Sequence, residues 1–187
     1  MWPWEHLAVG YLTYSLLTRA AGRTRPSGPA VLALALGTQF PDLVDKPLAW
    51  GLGLFDSGVA LGHSLLFALP VAAAALFLGR HTGHRVIATA FVVGYLSHLP
   101  MDLVYPLALG RPVSIQALLW PLGAGGGSGA VGVGTRTAAL LDVFIDFLAT
   151  PRGRRYLIAE VALLAGALLL WAADGRPGVP VRSPLDR

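Results

Sequence analysis

His98 and Asp102 lie near the end of an apolar run, VIATAFVVGYLSHLPMDLVYPLAL, that covers residues 86–109. An ionisable group in hydrocarbon costs at least ~2.5–3.5 kcal/mol on insertion scales, so a segment that keeps two of them must give them partners. The i, i+4 spacing puts the pair ~40° apart around a helix and ~6 Å apart along it, on one face. Pro100 between them removes a backbone donor. His6, Asp42, Asp45 and His63 are further polar residues in apolar surroundings. Histidine with carboxylate is a ligand set for zinc or another divalent ion, with no soft ligand needed. Such an ion would compensate carboxylates whose unpaired burial is costly. Water bound to it has its pKa lowered towards ~7 and becomes a nucleophile near neutral pH.

The predicted metal ligands are therefore His6, Asp42, His63, His98 and Asp102, with Asp42 or Asp45 doubling as a general base. Blander readings stand beside this one. His98 and Asp102 alone could form a hydrogen bond or a proton relay, and His63 alone could be a packing residue. Asp45 could stand behind a ligand or pair with Lys46. Together the residues could also form a closed structural metal site or an ion path in a non-catalytic membrane protein. Asp56 reads as an N-cap of the next helix. His81 and His84 read as solvated residues of a turn, and Asp142 and Asp146 as a polar helix face. The run GAGGGSGAVGVG is a linker and not a phosphate loop, since no GK[ST] follows it.

The elements that must position these residues are apolar. Of 187 residues 55% are hydrophobic and 13% charged, with a mean hydropathy of +0.62, where a soluble domain has roughly a quarter of its residues charged. The composition predicts an all-α, polytopic integral membrane bundle with four to six membrane-embedded helices, some short or re-entrant. There is no Cys, which excludes disulfides and thiolate metal sites. The N-terminus lacks the basic stretch of a cleavable signal peptide, and Trp2 and Trp4 suit a membrane interface. Helical segments are expected at 5–18, 29–40, 58–79, 86–109, 137–149 and 156–173. Residues 113–122 are too short to cross ~30 Å of hydrocarbon and read as a re-entrant or interfacial cover, with Trp120 at the site entrance. The expected units are a membrane-embedded metal-site domain at 1–122, a Gly-rich linker at 123–135, an amphipathic helix and final span at 136–173, and a disordered tail at 174–187.

Arginines cluster at 19–25, 80–85 and 152–155, and the positive-inside rule puts all three clusters in the cytoplasm. Alternating spans then carry His6, Asp42, Asp45, His63, His98 and Asp102 to one depth near the outer face. The net charge of +4 is explained by these loops, and no nucleic-acid partner is expected. Membrane lipids are the expected surroundings.

The motifs HLAVG, FPDLVD, GHSLLF, GYLSHLPMD and LLWP, in that order, resemble the membrane-bound metal-dependent hydrolases, a family labelled after a LexA-regulated inner-membrane protein. The resemblance covers roughly residues 4–122. It extends distantly to the zinc-dependent phospholipase C and single-strand nuclease superfamily, helical enzymes with His/Asp multi-zinc sites. It implies one zinc held by Asp42, His63, His98 and Asp102, and a second held by His6 with Asp102 bridging. The N-terminal Trp that binds metal in the soluble relatives is Met1 here, and that ligand is not carried over. The implied activity is hydrolysis, and a phosphoester or lipid-derived substrate would suit a site at headgroup depth.

Overall fold

Trp2 is extended and Pro3 brings a fixed φ, so the first helix begins there, with Glu5 accepting the Trp2 backbone amide at 2.6 Å. The computed structural model describes residues 1–22, 25–123 and 130–179. Among these residues there are six α-helices and no strand: α1 (Pro3–Ala20), α2 (Gly28–Lys46), α3 (Leu65–His81), α4 (Arg85–Ala108), α5 (Val133–Ala149) and α6 (Pro151–Ala173). A π-helical turn, Pro47–Gly51, follows α2, and a single 3₁₀ turn, Gln116–Leu119, is all that forms within the expected cover.

Two helices depart from their expected limits in ways that matter for the site. Helix α2 runs through Pro41 to Lys46 instead of ending at residue 40. Proline in a helix interior forfeits one hydrogen bond, and here the chain packs tightly around it: a Cβ on Gly62 would lie 2.8 Å from the Pro41 carbonyl oxygen. Asp42 and Asp45 are thus one helical turn apart rather than in a loop. Helix α3 begins only at Leu65, so the expected span at 58–79 is 17 residues of helix preceded by irregular chain. The reason is Asp45, whose carboxylate accepts the backbone amides of Ala60 and Gly62, each at 2.7 Å, and of His63 at 3.3 Å. Those amides have no helical partners, and Ser64, not Asp56, caps α3 by accepting the Leu66 amide.

Helices α2 and α4 lie in contact through glycine. A Cβ on Gly37 would run into the Phe91 carbonyl, and one on Gly94 into the Leu34 carbonyl. Small residues allow this approach where no water drives helices together. Tyr11, Tyr14, Ala30, Leu34 and Ala90 fill one core cluster, and Ala68, Tyr95 and Leu99 with Phe40 and Phe91 fill another. Helix α3 packs on α4, and α5 on α6.

Helix α1 pairs with α6 in parallel. Near the start of both, Tyr156 donates to Glu5 and the Trp4 indole donates to Glu160 at 2.6 Å. Near the end of both, Tyr11 and Ser15 donate to Asp174 at 2.6 and 2.7 Å, and Arg19 pairs with the same carboxylate. The start of α6, with Arg152, Arg154 and Arg155, therefore lies at the opposite end of the molecule from Arg19. This corrects the expectation that the three arginine clusters share one side.

Only α4 and α6, of 24 and 23 residues, are both long and apolar enough to cross a membrane among the described residues. Exposed Leu and Ile residues such as Leu66, Leu69, Ile158, Leu168 and Leu169 cover α3 and α6. Residues 124–129 of the expected linker, 180–187 of the expected tail and Arg23 of the first basic cluster lie outside the described residues. Residues 174–179 of that tail are folded, with Asp174 buried and the Trp171 indole donating to the Pro177 carbonyl at 3.1 Å.

Candidate metal centre

Asp42 from α2, His63 before α3, and His98 and Asp102 from α4 place one ligand atom each within 4.8 Å of one another. Nε2 of His63 lies 3.1 Å from Asp102 Oδ2 and 3.6 Å from Asp42 Oδ1. Nε2 of His98 lies 3.3 and 3.9 Å from the same two oxygens, and 3.1 Å from His63 Nε2. Donors ~2.0–2.2 Å from one tetrahedral ion are ~3.3–3.6 Å apart, so the spacings have the scale of a coordination sphere. This buried group could hold a metal ion.

The two imidazoles are set from behind. His63 Nδ1 lies 2.7 Å from Asp45 Oδ2, and His98 Nδ1 lies 2.6 Å from the Thr38 carbonyl oxygen. Both partners only accept, so each Nδ1 carries its hydrogen and each Nε2 turns to the centre. The two Nε2 atoms and two carboxylates then face one point, where a cation could bind. Burial alone would lower the His63 pKa, but the Asp102 and Asp45 carboxylates outweigh it and raise it to about 9 in the metal-free protein. Asp42 Oδ1, buried and without a hydrogen-bond partner, is the atom that a metal would satisfy.

His6 stands outside this group of four. Its ring stacks on His98 with centroids 3.7 Å apart, its Nε2 lies 3.1 Å from Asp102 Oδ1, and both its nitrogens lack a hydrogen bond of good geometry. The Met1 amino group also reaches Asp102 Oδ1.

Asp45 does not fit a general-base role. It is fully buried, both its oxygens are occupied, and it does not line the neighbouring cavity. Its place is behind His63. Lys46, the residue after it, pairs with Asp42 Oδ2 and lies over the Trp50 ring. A cavity of about 570 Å³ borders the centre and is lined by Asp42, His63 and Asp102. Trp120 is not part of its lining; it packs against Phe55, and its carbonyl accepts the Ser64 hydroxyl at 2.6 Å. Asp142 and Asp146 are exposed on α5, and Val143 and Phe144 of that helix face the cavity instead. Lys46, Asp56, Arg111 and Arg136 also line the cavity without having been expected there. Only Lys46 had a visible signal, its i, i+4 spacing from Asp42.

The family model described as YdjM inner membrane protein matches residues 1–176, and the chain belongs to that family. The description names a membrane and no activity. Neither a curated protein nor a solved structure gives a match.

Proposed function

We propose that this member of the YdjM inner membrane protein family is a metal-dependent hydrolase, with its centre at Asp42, His63, His98 and Asp102. The observation that carries the reading is the ligand group at the wall of a cavity, with a buried Asp42 oxygen left without a hydrogen-bond partner. A divalent ion held there, zinc in this reading, would supply a water acidified towards neutral pH. The donor set, two imidazoles and two carboxylates, favours zinc over magnesium or calcium. Asp42 would hold the ion through Oδ1, and its Oδ2, released from the pair with Lys46, would serve as the general base. Asp45 and the Thr38 carbonyl orient the two imidazoles. His6, with Asp102 bridging, would hold a second ion.

A closed structural metal site or an ion path would use the same residues. Access favours hydrolysis, because three of the four ligands line the cavity. In the membrane, α4 and α6 would span, α1–α3 would be embedded as shorter elements, and lipid would surround the bundle. A site near the outer face follows from Arg19, Arg25, Arg80 and Arg85 at the far end. Lys46, Arg111, Arg136, Arg152, Arg154 and Arg155 at the site end oppose it, and cysteine labelling decides between the two faces. The bond cleaved would be a phosphoester or lipid-derived ester.

The test is metal analysis and turnover of protein purified without chelators, beside His98→Ala and Asp102→Ala. Stoichiometric zinc in the wild type, its loss in both variants, and metal-dependent release of phosphate or alcohol from phosphoester substrates are expected. Metal-free wild-type protein would sink the metal reading, and bound metal with no turnover would favour the structural site.

A further inference from the structure

The cavity beside the centre carries charge of both signs. Asp42, Asp56 and Asp102 are its acids, and Lys46, Arg111, Arg136 and the Met1 amino group its bases. A divalent ion on Asp42 and Asp102 would leave an excess of three positive charges around a cavity open to the surface. Arg111 belongs to the chain after α4 and Arg136 to the first turn of α5, so two separate segments bring exposed arginines to the lining of one cavity. Arg152 lies against Gly110, beside Arg111. Guanidinium and metal together are the groups that hold phosphate oxygens, the former by paired hydrogen bonds.

The rest of the lining is apolar. Leu99 and Leu103 come from α4, and Leu140, Val143 and Phe144 from α5. Leu140 and Val143 are also exposed, so this wall continues to the outer surface of α5. At about 570 Å³ the cavity falls within the ~300–1,000 Å³ of ordinary ligand sites. A small hydrophilic phosphate would leave that wall without a partner.

From this arrangement we infer that the cavity takes an amphiphilic phosphate, its head between the metal centre and Arg111, Arg136 and Lys46, its apolar chain along α4 and α5. The inference rests on the metal reading above and assigns its substrate class. Arg111 and Arg136 are the residues that select the anionic head.

Full-length zinc-loaded protein in detergent is titrated with short-chain phosphatidic acid, with diacylglycerol of the same chains, and with inorganic phosphate. Native mass spectrometry counts zinc and lipid in the same spectrum. Phosphatidic acid should bind at least roughly tenfold more tightly than diacylglycerol. Arg111→Gln with Arg136→Gln should lose that preference with zinc unchanged, and Arg111→Lys with Arg136→Lys should keep most of it. Equal binding of the two lipids, or a preference that survives the double Gln variant, overturns the inference. Inorganic phosphate binding as tightly as phosphatidic acid overturns it too, since the chain would then contribute nothing. Discrimination between lipids by wild-type protein that takes up no zinc would sink the hydrolase reading while supporting the arginine subsite.

Discussion

Asp45 stands directly behind His63: its Oδ2 lies 2.7 Å from His63 Nδ1, and the same carboxylate takes the Ala60 and Gly62 amides. One side chain thus fixes both the imidazole and the loop that carries it. Asp45→Asn keeps the size and loses the charge. Metal affinity should fall by ~10–100-fold, the usual effect of removing such a partner, with no ligand deleted. Competition with a chromophoric zinc chelator reads it, and an unchanged affinity would refute the role.

Asp45→Ala should do more. Leaving buried amides unsatisfied costs ~1–3 kcal/mol each, so thermal stability should drop even in protein stripped of metal. Comparing melting curves of the two Asp45 variants in chelator separates the loop's loss from the metal's.

Chelation should destabilise wild-type protein and leave His98→Ala unmoved. A ligand at ~1,000 times its Kd stabilises the folded state by ~4 kcal/mol. The wild type should therefore melt several degrees lower in chelator, recover on zinc addition, and show no such shift once His98 is gone.

Gly94→Ala presses a methyl into the Leu34 carbonyl. Overpacking of this kind costs ~1–3 kcal/mol, and it separates the helices that carry Asp42 and His98. Stability and zinc affinity should fall together. Asp174→Asn is the matched control, since it weakens the Tyr11, Ser15 and Arg19 contacts at the other end of α1 and α6. Stability should fall there with zinc affinity kept.

Because the chain has no Cys, single cysteines report its orientation cleanly. Leu122 is exposed near the Ser64–Trp120 contact at the site end, and Thr82 closes α3 at the other. Leu122→Cys should react with an impermeant maleimide in intact cells, and Thr82→Cys only after permeabilisation. The reverse pattern would place the site on the cytoplasmic side.

Residue type and local spacing by themselves determine a good part of this protein. The i, i+4 pair His98 and Asp102, and the isolated His63 and Asp42 in apolar surroundings, are properties of the chain, because polar groups in such segments must find partners. The all-helical class followed from the same apolar runs. What the tertiary structure decided depends on distances across the fold. Asp45 and Lys46 are neighbours in sequence, yet helical rotation sends one behind His63 and the other to Asp42 at the cavity. Arg111 and Arg136 come from separate segments and reach one cavity only after folding. Helix α6 runs parallel to α1, against the side that arginine counting assigned to its start, because Asp174 and Glu160 pair with α1 through space. Spacing along a helix is written locally, and contact between helices is not.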